Sequence, residues 1–219
     1  MPNEFLPHES NLIGKISSNY KGLGVFFKIF KDEIYDDYKS NQLSISETTK
    51  ESISRKTSLL NEYYIKIEEF YNKMEKEHNE KITSQSKFRP TILEEFCGFL
   101  FKDIQVLEDM DLNFFNKRIF AGILLDKNGN ASIKTKDVDF CIGKQFYVEI
   151  GGSEHNIIIP IVAIECKTYI DKTMFSEAQF TAQKMKQGSP NVRVYVISED
   201  NQIDKNEIPT KGQTPGFPH

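Results

Sequence analysis

Nowhere in the 219 residues is there a run of about 18 apolar residues, the length that spans a membrane as a helix. The opening Met1-Pro2-Asn3-Glu4 lacks the basic and then apolar layout of a secretory signal, so a cytoplasmic protein is expected. Cysteine is scarce. Cys97, Cys141 and Cys166 are odd in number and widely spaced, which argues against a disulfide framework and against a CxxC zinc knuckle. The four histidines, His8, His78, His155 and His219, are just as scattered. His155 falls in a turn after Gly151-Gly152 without the orienting partner that base catalysis needs. Excess positive charge is missing too. A net charge of −4 speaks against a protein that coats nucleic acid through bulk charge, but not against an enzyme whose lysines gather on one cleft.

What is present is enough for a globular core: 38% hydrophobic residues, with 17 Phe and 9 Tyr, and 27% charged residues to keep the outside solvated. The length fits one core with an N-terminal extension. Leu23, Phe27, Phe30, Ile34 and Tyr38 recur at helical spacing and predict an amphipathic helix over residues 23–39. Gly22-Leu23-Gly24 at its start resembles part of a phosphate loop, but no strand precedes it and no GK[ST] follows. A longer helix is predicted over residues 47–82, with Ile53, Leu60, Tyr64, Ile67, Tyr71, Met74 and His78 on one stripe. Such a stripe covers a core or forms a seam with a second subunit.

Residues 84–90 break the pattern, and Pro90-Thr91 opens a helix to about residue 102. The period then changes from helical to alternating. Strands are expected over residues 115–125 and 131–142 around a turn at Asp126-Lys127-Asn128-Gly129, with a shorter one at 146–150. The most apolar segment, 157–164, reads as a buried central strand despite Pro160. Asp171 or Thr173 caps a helix that stops at Gly188, and a β-branched strand follows over 191–198. Strand, helix and strand in that order make a crossover with parallel neighbours. Residues 201–219 carry no apolar period and read as a loose tail.

The buried strand ends in Ile164-Glu165-Cys166-Lys167. Side chains two apart on a strand share a face, so Glu165 and Lys167 point one way and Cys166 the other. Desolvating two charges costs several kcal/mol per ion, so a purely structural pair is a weak use of a central strand. Asp139, in Lys136-Asp137-Val138-Asp139-Phe140, could approach Glu165 from the neighbouring strand. Two carboxylates and a main-chain carbonyl are the hard oxygen ligands that suit Mg²⁺, which can bind a phosphate and acidify a water. Lys167 adds a positive charge against the developing phosphorane.

These segments, together with Pro90-Thr91-Ile92-Leu93-Glu94-Glu95-Phe96 and the run from Ile164 to Met174, resemble the PD-(D/E)xK nuclease superfamily. Within it they look like type II restriction endonucleases of the BbvCI and DdeI kind. The resemblance implies an α/β fold: a restriction-endonuclease-like core, its central mixed sheet flanked by helices, over residues 87–200. An N-terminal helical extension (1–86) would precede it and the loose tail (201–219) would follow. It implies cleavage of double-stranded DNA at a short specific sequence, with Mg²⁺ bound by Asp139, Glu165 and the carbonyl of Cys166, and Lys167 catalytic. A further acidic residue on the first core helix would be Glu95 or its neighbour Glu94, with Glu95 preferred. Asp137 is a rival to Asp139, because Val138 separates the motif's aspartate from its usual neighbour. Gln183, Tyr169 and Lys172 are candidate contacts to substrate. A single such centre cuts one strand, which implies a homodimer or a related second subunit. Two other readings stand beside this one, a DNA nuclease of defence or recombination with little sequence preference, and a non-catalytic DNA-binding or assembly subunit. Base readout is expected from loops and the N-terminal helices, including residues 81–89.

Overall fold

A computed structural model describes residues 3–78 and 88–203. The end of the long helix beyond residue 78, most of the 81–89 segment, the boundary at 86/87 and the tail from 204 lie outside the described residues.

The chain opens with α1 (Pro7–Ser17), a helix beyond those expected, with Pro7 at its first turn, where a missing N–H costs nothing. A 3₁₀ turn (Tyr20–Gly22) leads to α2 (Gly24–Phe30), a π turn (Lys31–Tyr35) and α3 (Asp36–Ser44), so the predicted helix runs on to residue 44. Helix α4 (Lys50–His78) follows. Its buried stripe is Ser52, Lys56, Leu60, Tyr63, Ile67, Phe70 and Met74, rotated slightly from the expected one, and Ile53 is exposed. Lys56 can be buried because its ammonium donates to the Phe99 carbonyl at 2.6 Å near the end of the next helix, where a cation is favoured.

Stacked and edge-on rings of Phe27, Phe30, Tyr63, Phe70 and Phe88 bind α2 and α4 to the start of α5 (Pro90–Phe101). Each such side chain contributes about 1.5–3 kcal/mol through burial. One hydrophobic cluster runs from Leu12 through these rings to Phe140, Ile164 and Cys166 of the sheet. The stripe of α4 is therefore used against the chain's own core.

After α6 (Gln105–Asp109) come β1 (Asn113–Phe115), β2 (Ile119–Leu125), β3 (Ala131–Lys136), β4 (Phe140–Ile150) and β5 (Ser153–Ile170). Helix α7 (Lys172–Gly188) and β6 (Arg193–Asn201) complete the fold. The main sheet has the order β1-β4-β5-β6, and β2-β3 is a separate two-stranded ribbon. The pairing of β5 with β6 is parallel, as the crossover requires, and Asp171 caps α7 by accepting the Met174 N–H at 2.8 Å.

Two predicted strands are each divided between the sheets. Residues 115–125 break at Lys117 and Arg118, both at positive φ, and residues 131–142 break at Asp137–Asp139. Alternation persists across both breaks, so a period of two cannot reveal a chain that changes sheets. Strand β4 is also longer than expected and turns into β5 through Gly151-Gly152, at φ 61° and 79°, the two-residue hairpin that glycine permits. Pro160 is tolerated because β6 begins pairing only at Val162, leaving no ladder on that side for its missing N–H.

The faces of the sheet are distinct. Ile164 and Cys166 face α5 and the helical cluster. Ala163 and Cys141 face Met185 of α7 together with Ile119 and Val138. Helix α7 ends on the ribbon, where a Cβ at Gly188 would collide with the Ala121 backbone. Gly188→Ala is expected to destabilise the fold by about 1–3 kcal/mol, read as a lowered midpoint in urea unfolding.

Candidate active site

Strand β4 stops pairing with β5 at Phe140↔Ile164, whereas β5 continues to Ile170 with β6 as its neighbour. From Glu165 onward one edge of β5 has lost its strand partner. Asp139, immediately before β4, fills the gap by accepting the Cys166 N–H on Oδ2 at 2.8 Å. In an extended strand a residue's N–H and C=O project to the same edge, so the Cys166 carbonyl lies on the edge where Asp139 docks.

Glu165 and Lys167 share the sheet face of Ala163, and the Lys167 ammonium donates to Glu165 Oε2 at 3.0 Å while lying 3.9 Å from Asp139 Oδ2. Burial works to lower the pKa of Lys167. The hydrogen bond and charge of Glu165, then the charge of Asp139, outweigh it and hold the ammonium above its ordinary value. Cys166 points the other way. Its thiol is raised well above the usual range by the hydrogen bond with Cys97, then by burial, and is not a nucleophile.

Asp139, Glu165, Lys167 and the Cys166 backbone thus converge. Among the described residues no group of three or more His, Cys, Asp and Glu side chains forms a metal cluster. The available donors are two carboxylates and one carbonyl, an all-oxygen set that fits a hard divalent cation with positions left for water and phosphate. The Lys167 ammonium places a positive charge beside both carboxylates.

Glu95 is not brought to this site, which corrects the expectation from the sequence. It is 1% exposed, and its carboxylate accepts from Tyr35 Oη at 2.9 Å and from the His8 and Glu9 N–H groups at 3.0 Å each. One helical position is a rotation of about 100°. Glu94 instead faces the sheet closely enough for its charge to bear on the Cys166 thiol. Asp137 is also placed elsewhere, accepting the Arg118 N–H at 3.0 Å. His155 pairs with Val148 near the β4–β5 turn, ten residues along the strand from Glu165. Gln183 and Lys172 are exposed, and Tyr169 is on the site face two residues beyond Lys167. Ser198, the β6 neighbour of Lys167, is a site-lining position not apparent from the motifs of the sequence. The alternation Val194, Val196, Ser198 carried that signal.

A mixed sheet between helices, with an aspartate at the start of one strand and Glu-x-Lys on its central neighbour, is the core of a restriction-endonuclease-like fold. The same fold occurs in a solved structure described as the native BbvCI A2B2 tetramer, at 20% identity and a TM-score of 0.74, covering 95% of this chain and 80% of that one. No curated protein matches the chain. The family model described as Bpu10I restriction endonuclease matches residues 85–211, more than half of the sequence, and the chain belongs to that family of type II restriction endonucleases.

The cluster around Glu95 makes stability depend on pH in two opposed ways. Burial pushes the Glu95 carboxyl up to about 8 from 4.5, against the hydrogen bonds from Glu9, Tyr35 and His8. Its contribution is complete below about pH 4.5 and is lost as pH rises through about 8. Burial lowers the His8 imidazole from 6.5 to about 3, so its contribution is complete above about pH 6.5 and is lost as pH falls through about 3. Between 4.5 and 6.5 the two slopes cancel. Urea unfolding is expected to show a plateau there, and Glu95→Gln should remove the alkaline decline while leaving the acid one.

Proposed function

We propose that this protein hydrolyses phosphodiester bonds of double-stranded DNA at a short specific sequence in the cytoplasm, using Mg²⁺ held by Asp139, Glu165 and the Cys166 carbonyl. The observation that carries the reading is the Asp139 carboxylate docked on the Cys166 N–H with the Lys167 ammonium reaching both acidic side chains. When bound, the ion polarises the scissile phosphate and lowers the pKa of the attacking water. Lys167, held as an ammonium, serves as donor and counter-charge to the phosphate oxygens and not as a base. Cys166 takes part through its backbone alone. Glu94, not Glu95, is the carboxylate that α5 turns toward β5, on the face of Cys166.

One such centre cuts one strand. Cleavage of both needs a second copy or a related subunit, a reading supported by the A2B2 assembly named for the BbvCI structure. Among the described residues no helix is long and apolar enough to cross a membrane.

Purified protein is expected to give discrete fragments from DNA of known sequence in Mg²⁺ and none in EDTA. A smear would instead support the nuclease of low specificity, and DNA bound but uncut in both Mg²⁺ and Mn²⁺ would support a non-catalytic subunit. Glu165→Ala and Asp139→Ala should each abolish cleavage with DNA binding retained, and Lys167→Ala should lower the rate by about 10²–10³-fold. Full activity in any of them removes that residue from the site.

A further inference from the structure

The ribbon β2–β3 is set apart from the main sheet and docks on the sheet face that carries Glu165 and Lys167. Ile119 at its root packs with Val138, Ala163 and Met185. Lys136, paired with Ile119, stands three residues before Asp139. The segment 117–136 holds five basic residues, Lys117, Arg118, Lys127, Lys134 and Lys136, against one acidic residue, Asp126, in a chain of net charge −4. Asp126 is engaged at the tip, where it accepts the N–H groups of Asn128 and Asn130.

The ribbon's five basic side chains have no ion pair or hydrogen bond among the described residues. Lysines elsewhere often do: Lys28 pairs with Asp32, Lys31 with Asp36, Lys39 with Glu9 and Lys102 with Asp103. At the root, Lys117 and Arg118 are exposed and sit at φ 61° and 50°, a left-handed conformation that costs a non-glycine residue energy. It is fixed from the site side, since the Lys117 N–H donates to the Val138 carbonyl at 2.9 Å and the Arg118 N–H to Asp137 Oδ1 at 3.0 Å. Two consecutive cations are thereby held beside the residues that lead into Asp139. At the far end Ile123, Leu124 and Leu125 are 53%, 53% and 72% exposed. A two-stranded ribbon is narrow enough for the major groove, which is about 12 Å wide.

We infer that the β2–β3 ribbon is a duplex-DNA contact element, with Lys117 and Arg118 gripping backbone phosphates next to the cleavage centre and the ribbon lying along the groove. The inference rests on the proposed function. It adds the strand connection that delivers Asp139 to the loops and N-terminal helices, including residues 81–89, from which base readout is expected.

The test uses the full chain and a mixed-sequence DNA duplex, with binding titrated against salt in EDTA and cleavage measured in Mg²⁺. Lys117→Asn/Arg118→Asn removes both charges while keeping a residue that tolerates the left-handed backbone. Lys134→Gln/Lys136→Gln does the same on ordinary extended backbone and serves if the first variant fails to fold. Each lost phosphate contact lowers the slope of log K against log salt by about 0.9. Each double variant is therefore expected to lose up to about 1.8 of slope and at least about tenfold in affinity near 0.1 M salt, with cleavage falling in parallel. Lys28→Gln/Lys66→Gln, an equal change of charge on the N-terminal helices, should leave the slope unchanged. Wild-type binding and cleavage in both folded ribbon variants would overturn the inference. So would an equal loss in the control, or a changed oligomeric state with DNA binding intact, which would make the ribbon a protein interface. If wild-type protein binds duplex DNA without cutting it, the proposed function fails while the salt titration still decides the ribbon inference; if it binds none, the ribbon inference fails.

Discussion

The site depends on a mismatch in strand length. Strand β5 outruns its antiparallel neighbour, so the Cys166 N–H, on a residue 5% exposed, has no strand to pair with. A buried donor left unsatisfied costs about 1–3 kcal/mol. Asp139 removes that cost by placing a carboxylate where the next ladder residue would have been. Its position is thus set by the backbone of the strand that carries Glu165 and Lys167, and the sheet itself fixes the spacing of the acidic groups.

That arrangement concentrates negative charge, and Lys167 offsets it. The three side chains are 14–33% exposed, so the ion pairs are partly screened and contribute little to stability. Their effect is to hold the two carboxylates and the ammonium together at the edge of a rigid sheet. The opposite face supplies the rigidity. Cys166 and Ile164 belong to the aromatic cluster built by α2, α4 and α5, and Phe140, which makes the first ladder pair with Ile164, stacks on Phe101. A site on strands supported by a packed second layer keeps its geometry better than one on loops.

Much of this was legible in the sequence because it follows local periodicity. The opposed faces of Glu165 and Cys166, the Asp171 cap and the parallel crossover all follow from strand alternation and helix capping. What was not legible depends on long-range contact. The transfer of the chain between two sheets at Lys117-Arg118 and at Asp137–Asp139 leaves alternation intact, and only the pairing partners reveal it. Lys56, a charge on the buried stripe of α4, could not be anticipated without the Phe99 carbonyl that receives it. The choice between Glu94 and Glu95 was equally closed to periodicity, since both are adjacent acids on one helix.

Glu95 shows why the N-terminal helices belong to the same structural unit as the sheet. A carboxyl group this deeply buried is costly, and three donors from α1 and the π turn converge on it to satisfy its oxygens. His8 extends the contact by bridging Thr91 of α5 and Tyr63 of α4 through its two ring nitrogens. The position and orientation of α5 are therefore fixed by polar groups more than 50 residues earlier in the chain. Because α5 supports the Cys166 side of β5, the same contacts that exclude Glu95 from the site turn Glu94 toward the sheet. The helix carrying these adjacent acids thus has one of them committed to assembling the fold and the other turned toward the sheet face that carries Cys166.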